Sequence, residues 1–271
     1  FEFASLPGPF FYQPEVARSY YSKVTSYEEN GDVLNVSRMT VPFEAVVIGS
    51  GDRTNPLGES NDNLFMLRDL NVITRSFKTD IPSSIKVTDL MSITPDTFGS
   101  LTSDYKRFVE KEFEYNKSRG WKYELPAIGE KALAKPAIIG GVAYFPTFVS
   151  GSETVSCSLT GGEGRLYAFH LHYAVSIYDS LFSSTGDSIP PTPELVFSED
   201  SDENSQFLLI GIGAGEGNSG IIKAKSINDS AIPKQECDEN GANCKINLVG
   251  GFGGLKAHRS YMYRESKNKV N

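Results

Sequence analysis

The sequence has no apolar run long enough to cross a membrane. The longest nearly uninterrupted run, residues 137–149, is too short for a hydrocarbon core of about 30 Å, and Pro146 interrupts it. Positive charge is also scarce, because 26 Lys and Arg face 34 Asp and Glu and leave a formal net charge of −8. Nucleic-acid affinity comes mainly from clustered Lys and Arg. We therefore expect no membrane-spanning segment and no nucleic-acid partner.

Stretches rich in Ala, Leu, Glu and Lys are few, and Trp occurs once. The chain instead carries 25 Gly, 17 Phe and 13 Tyr, a composition typical of short strands joined by turns. With 39% hydrophobic and 22% charged residues, it is neither fibrous nor disordered. The chain starts at Phe1 without an initiator Met or a basic-then-apolar signal segment. We expect an all-β protein that is an interior portion of a longer one.

Cysteine occurs three times. Cys237 and Cys244 bracket a polar segment whose Asn-Gly and Asp content favours a tight reversal, so a disulfide across this hairpin is predicted. Such a bridge indicates an oxidising compartment such as a periplasm or cell exterior. The alternative is two free cysteines in a mobile loop. Cys157 is then the odd one and is a candidate for pairing outside this chain.

The sequence offers little for a metal. Zinc has no support from a second Cys pair or a His-x3-His spacing. His170 and His172 would share one face of a strand, but no acidic residue or Cys adjoins them, so exposed strand histidines are the favoured interpretation.

An acidic loop gives a second metal candidate. Asp200, Asp202 and Asn204 place oxygen ligands at alternate positions, as calcium loops do. The loop lacks a turn glycine and a downstream bidentate carboxylate. A solvated acidic loop is therefore the default, calcium is the alternative, and no other cofactor is predicted.

Motifs for catalysis are weak. Residues 215–220 fit G-x-G-x-x-G, but a strand-like segment follows instead of a helix, which favours a glycine hairpin over a dinucleotide site. The sequence contains no G-x-S-x-G elbow. Gly51, Asp52 and Arg53 predict a structural turn, in which Asp52 accepts turn amides or pairs with a nearby cation. No catalytic residue is assigned.

One helix and three strand pairs organise the chain. Thr102 or Ser103 can cap a helix that ends before Gly120. Around this insertion, apolar strands run through a polar or Gly-rich connection into a second strand. The three pairs are residues 45–49 with 63–67, 142–145 with 165–169, and 207–211 with 220–223. Repeated units of this kind suggest propeller blades, with further blades hidden near residues 19–27 and 245–250 or missing from the chain.

Three groups of residues carry a resemblance to a known family. Residues 49–57 with 62–69 resemble G-x-G-D-R-x-x-P-L … D-x-x-[FY]-x-[LI]-x-D. Residues 129–148 with 157–168 resemble G-E-K-x-x-x-x-P … V-x-Y-F-x-T-[FY] … C-S … G-x-x-R-L-Y-A. Residues 259–265 resemble R-x-x-x-x-R-E. In this order they resemble the C-terminal domain of type IV pilus tip-associated adhesins of the PilC/PilY type.

The resemblance implies a modified β-propeller on a pilus tip, on the cell surface or in the periplasm of a Gram-negative bacterium. It implies a non-enzymatic role in pilus assembly and adhesion. The expected partners are minor pilins or other pilus-tip proteins, a host or abiotic surface, and the remainder of the same propeller. Since the opening strand and calcium loop of the family do not occur, residues 1–271 would form the C-terminal part of the propeller, without the N-terminal blades.

Function is expected to lie on long polar loops carried by a rigid scaffold. The candidates are residues 52–61, 150–162 and 238–243. Two alternatives remain. One is a propeller hydrolase or quinone-type dehydrogenase with convergent carboxylates, and the other is a carbohydrate-binding module in which exposed Trp121 or Tyr123 stacks on sugar rings.

Overall fold

The computed structural model of the chain describes residues 2–30, 33–72, 81–151, 162–198, 206–210, 221–223, 234–236 and 244–247. These residues are mainly β-sheet with few helices, which confirms the predicted all-β class. None of the described helices is long and apolar enough to cross a membrane.

The described strands are β1 (Ala4–Ser5), β2 (Glu15–Asn30), β3 (Val33–Gly49), β4 (Asn63–Asp69), β5 (Ile85–Lys86), β6 (Met91–Ser92), β7 (Gly120–Glu124), β8 (Ala137–Ile139), β9 (Val142–Val149), β10 (Glu163–His170), β11 (Phe182–Gly186), β12 (Glu194–Ser198), β13 (Gln206–Ile210), β14 (Ile221–Lys223), β15 (Lys234–Glu236) and β16 (Lys245–Asn247). The described helices are α1 (Asp96–Gly99), α2 (Tyr105–Tyr115) and a 3-10 turn at Val87–Asp89.

A five-stranded sheet has the order β2-β3-β4-β7-β6. The first predicted strand pair lies at its centre, where antiparallel β3 and β4 pair Val46 with Leu67 and Ile48 with Phe65. Strands β2 and β3 form a hairpin that is longer than predicted and takes in residues 19–27. That segment therefore extends the first strand pair and is not a separate unit.

A four-stranded sheet has the order β11-β10-β9-β8 and contains the second predicted pair, in which Tyr144 lies opposite Ala168. The third predicted pair is also found, because β13 and β14 are antiparallel with Leu209 opposite Ile222. Apolar residues in continuous runs explain why β4 and β9 are buried on both faces.

Helix α2 confirms the predicted helical insertion with different ends. Asp104, and not Thr102 or Ser103, is the N-cap, and its side chain accepts a hydrogen bond from the Arg107 backbone N–H. The helix ends at Tyr115, and Gly120 already belongs to β7. The helix is about one turn shorter than predicted, because the chain turns back after Tyr115 to pair with β4.

One apolar core joins the two larger sheets and the helices. It contains Phe43 and Met66 from the five-stranded sheet, Phe145 and Phe169 from the four-stranded sheet, and Phe108 from α2. Trp121 lies within this core, where its indole N–H donates to the carbonyl oxygen of Leu171 at 3.0 Å. The sheets therefore pack on a shared interior instead of forming independent units.

Candidate functional site

Polar residues from the sequence motifs meet where the two larger sheets adjoin. We call this place the junction. It is formed by the end of β3, the loop before β4, the segment before β8, and neighbouring residues of β9 and β10. Its side chains are those of Ser50, Asp62, Glu130, Lys131, Thr147, Arg165 and Tyr167.

Ser50 and Asp62 close the loop that connects β3 to β4. The Ser50 hydroxyl donates to Asp62 Oδ1 at 2.7 Å and accepts from the Asn63 backbone N–H at 2.9 Å. The second carboxylate oxygen, Oδ2, accepts from Ser60 Oγ at 2.6 Å. Both Ser50 and Asp62 are buried, so these bonds fix the two ends of the loop against the sheet.

Glu130 is the most heavily hydrogen-bonded acid of the junction. Its Oε1 accepts from Thr147 Oγ1 at 2.7 Å and from the Tyr167 hydroxyl at 2.9 Å, and its Oε2 pairs with Arg165 Nη1 at 3.0 Å. Glu130 is fully buried. Burial, together with the nearby Glu130 carboxylate, raises the pKa of Tyr167 far above its usual value. The tyrosine therefore stays neutral and serves as a donor.

Residues 130–132 connect the two sheets by hydrogen bonds, and we call this segment the strap. Lys131 exchanges two backbone hydrogen bonds with Phe148 of β9, at 3.0 and 2.8 Å, while Ala132 N–H donates to the Ser50 carbonyl at 3.0 Å. The buried Lys131 ammonium donates to the carbonyl oxygens of Gly58 and Gly129. One short segment thus connects β9 to the end of β3 and also holds the loop at residues 51–61.

The predicted structural turn lies beside the strap. Asp52 Oδ1 accepts from the Thr54 backbone N–H at 2.8 Å and from Thr54 Oγ1 at 2.7 Å, bonds that lower the pKa of Asp52. Arg53 lies over the Tyr12 ring, with its guanidinium carbon 5.5 Å from the ring centroid. Gly51 packs so closely on the strap that a Cβ would lie 2.9 Å from the Ala132 carbonyl oxygen.

Two exposed apolar side chains lie on loops that the junction holds. Leu57 is 68% exposed and Ile128 is 73% exposed. Their loops are joined by the Gly129 N–H, which donates to the Ser60 carbonyl at 3.2 Å. We call Leu57 and Ile128 the apolar tips. Exposed side chains on loops with a fixed backbone are candidates for contact with a partner.

Every carboxylate oxygen of Asp62 and Glu130 accepts a hydrogen bond from a neighbouring side chain. The carbohydrate alternative is wrong in its named residues, since Trp121 and Tyr123 are both buried. Each fills the shared core, so neither ring is available to stack on a sugar. Among the described residues, no three His, Cys, Asp or Glu side chains group as a metal site.

The prediction of exposed strand histidines is wrong for His172, while His170 lies in a strand but is only partly exposed. His170 ends β10 and His172 follows it in a tight turn, where His172 is only 5% exposed. His170 Nδ1 accepts from the backbone N–H of His172 at 3.1 Å and of Tyr173 at 3.3 Å. Burial lowers the pKa of His170 to about 4 and lowers that of His172 well below its usual range. Both rings are therefore neutral at pH 7.

A second buried polar cluster, beneath α2, was not predicted. Arg38 and Glu112 form an ion pair of 2.5 Å, and Glu112 also accepts from the Tyr173 hydroxyl at 2.7 Å. Arg68 lies between the Tyr21 and Tyr115 rings, with its guanidinium carbon 4.6 and 4.5 Å from their centroids. The sequence signal for this cluster was Arg68 itself, a charged residue near the end of an apolar strand that is buried on both faces.

Several predictions fall outside the described residues. These are the calcium ligands Asp200, Asp202 and Asn204, the odd cysteine Cys157, the glycine hairpin at residues 215–220, most of the loop at residues 150–162, and the loop at residues 238–243. Of the predicted disulfide, Cys244 is described and Cys237 is not. The register of β15 and β16 pairs Glu236 with Lys245, the residues that adjoin the two cysteines in sequence.

Comparison of the chain with protein-family models, with curated proteins and with solved structures gave no match.

Proposed function

We propose that this chain is the C-terminal part of a propeller scaffold at the tip of a type IV pilus. It acts without turnover and presents loops to minor pilins or other pilus-tip proteins, and to a host or abiotic surface. The remainder of the propeller completes the ring. The observation that carries the proposal is the junction, because two of the three groups of motif residues meet there although they lie far apart in sequence. The third group, residues 259–265, lies outside the described residues.

A presentation scaffold needs loops whose shape is fixed before the partner arrives, since ordering them on binding costs free energy. The loop at residues 52–61 meets this need. Its ends are closed by Ser50 and Asp62, its turn is fixed by Asp52, and its far side is held by the Lys131 ammonium. The same bonds leave the apolar tips facing solvent. The junction thus supports binding more than it supports chemistry.

The repeated antiparallel strand pairs support the propeller part of the proposal. The pairs β3–β4, β9–β10 and β13–β14 each join neighbouring strands through a connecting segment, as the strands of a blade do. The shared core supplies the packing between neighbouring units that such blades require.

The first test is binding of the purified chain to purified minor pilins in a pull-down assay. A double variant, Leu57→Asp and Ile128→Asp, is expected to weaken retention by about tenfold, because it places charge on the two apolar tips. Both side chains are exposed, so the fold is expected to survive. Circular dichroism and the unfolding midpoint check that it does.

Met39→Asp is the matched control, since Met39 is 51% exposed on β3 and lies outside the two loops. It is expected to bind like the unmodified chain. If the double variant and the control bind equally well, the apolar tips are not the contact surface. If the folded chain binds no minor pilin, the proposed pilus role fails.

The predicted Cys237–Cys244 disulfide gives a test of the compartment. A protein of the periplasm or cell surface is expected to carry this bridge. Mass spectrometry after alkylation should show one reactive cysteine without reductant and all three with it, with a cross-linked peptide that contains Cys237 and Cys244. Full alkylation of natively secreted protein without reductant would contradict the prediction.

A further inference from the structure

Helix α2 is fastened to the sheets through the turn that follows β10. The Tyr115 hydroxyl donates to the His172 carbonyl at 2.9 Å, and the Tyr173 hydroxyl donates to Glu112 Oε1 at 2.7 Å. The turn itself contains Ala174 at a φ of 53°, in the left-handed region that side chains other than glycine rarely adopt. Two helix side chains thus hold one strained turn, and the turn in return holds the helix.

His172 lies at the centre of this contact with its ring unsatisfied. Within the described part of the chain, neither Nδ1 nor Nε2 has a hydrogen-bond partner. The imidazole stacks on Tyr21 at 4.8 Å between centroids, and lies 4.9 Å from the Tyr115 ring. A buried polar group without a partner is costly, and a buried charge without one is more so.

The groups that face His172 do not favour a positive charge on it. They are Tyr21 of β2, Arg68 of β4, Tyr115 of α2, and Tyr173 and His170 of its own turn, with the Arg38–Glu112 pair beyond Tyr173. Arg68 is buried and contacts the same two rings as His172. The carboxylate of Glu112, on the far side of Tyr173, is already held by Arg38 and Tyr173.

We propose that this contact is an acid-sensitive latch: protonation of His172 releases α2 and the turn at residues 171–174 while the two sheets stay paired. The protonated imidazole is hydrated when the latch is open and lies beside Arg68 when it is closed, so protons bind the open state more tightly. A ligand shifts a conformational equilibrium by its difference in affinity for the two states. Here the ligand is the proton.

The sign of the effect follows from linkage. The closed state holds the pKa of His172 well below the value of about 6.5 that a hydrated imidazole has. The equilibrium constant for closing the latch is therefore at its full value above pH 6.5. It falls as the pH drops below 6.5, by at most about tenfold per pH unit. His170, whose pKa burial lowers to about 4, is the last residue of β10 and keeps that strand position in both states of the latch. Glu112 acts in the opposite direction to His172, because burial raises its pKa despite the hydrogen bonds from Arg38 and Tyr173. Variants are needed to separate the effect of His172 on closure from that of Glu112.

Amide hydrogen exchange of the full chain at pH 7.0 and pH 5.5, corrected for the intrinsic rates, tests the latch. Protection of α2 and of residues 171–174 is expected to fall by about tenfold at the lower pH, while β9 and β10 keep theirs. The variant His172→Phe keeps an aromatic ring in the stack and cannot be protonated, so its α2 protection is expected to change by less than about twofold. The control His170→Asn keeps an acceptor for the two turn amides and is expected to respond like the unmodified chain.

Loss of protection in α2 and in both sheets together would overturn the latch, because it would mark global unfolding. An unchanged α2 at pH 5.5, or an equal response in His172→Phe, would overturn it as well. The comparison of α2 with β9 and β10 needs only the unmodified chain, so it can overturn the selective release of α2 even where a variant folds poorly. No part of this test depends on pilus binding.

Discussion

Replacing Glu130 with alanine is expected to lower the free energy of unfolding by about 3 kcal/mol, because it removes one partner of a buried ion pair. The change leaves Arg165, Thr147 and Tyr167 without the carboxylate that they share. Removing such a partner costs more than the lost contact itself, since the groups that stay buried keep their desolvation penalty.

Urea denaturation at pH 7 measures the effect, and Glu163→Ala is the matched control. Glu163 also pairs with Arg165, at 2.7 Å, but its side chain is 41% exposed. Exposed pairs contribute little, so the control is expected to lose less than about 1 kcal/mol. Equal losses would mean that Glu130 is not what holds the junction. A Glu130→Ala chain of unchanged stability would remove the reason to regard the junction as the rigid support of the loop at residues 52–61.

The sequence allowed good prediction of what depends on neighbouring residues. The strand pairs were found because alternating or continuous apolar segments and turn residues are local signals. Helix α2 was found for the same reason, although its end at Tyr115 was missed. That end is set by β7, which must reach β4 within a few residues, and no local signal carries that constraint.

The candidate site shows the same difference between features set by neighbouring residues and features set by the fold. The turn at Asp52 could be predicted from its own residues, whereas the contact between Glu130 and Arg165 joins two sheets and depends on the fold. The carbohydrate alternative required an exposed Trp121, and the residues beside it in sequence do not decide whether its side chain is buried. It is buried because β7 lies between β4 and β6, which places the indole in the shared core.

Gly120→Ala is expected to lower the free energy of unfolding by about 4 kcal/mol or more, although it adds a single methyl group. Gly120 has a φ of 139°, which a residue with a Cβ rarely adopts. It is the first residue of β7 and pairs with Leu67. An added Cβ would overlap the carbonyl oxygen of Met66 and lie 3.0 Å from the Leu67 Cα.

The structure around Gly120 cannot relax at a low cost in free energy. The atoms that the added Cβ would meet are backbone atoms of the central strand β4, not the flexible end of a side chain. Moving β7 away from β4 would also withdraw Trp121 from the core that joins the two sheets. Gly99→Ala is the control: it ends α1, and its Cβ would meet only Val175 Cγ1, at 3.9 Å. Alanine is expected to be neutral there or to stabilise by up to about 1 kcal/mol. Thermal unfolding of both variants compares them, and a Gly120→Ala chain as stable as Gly99→Ala would show that β7 does not approach β4 in this way.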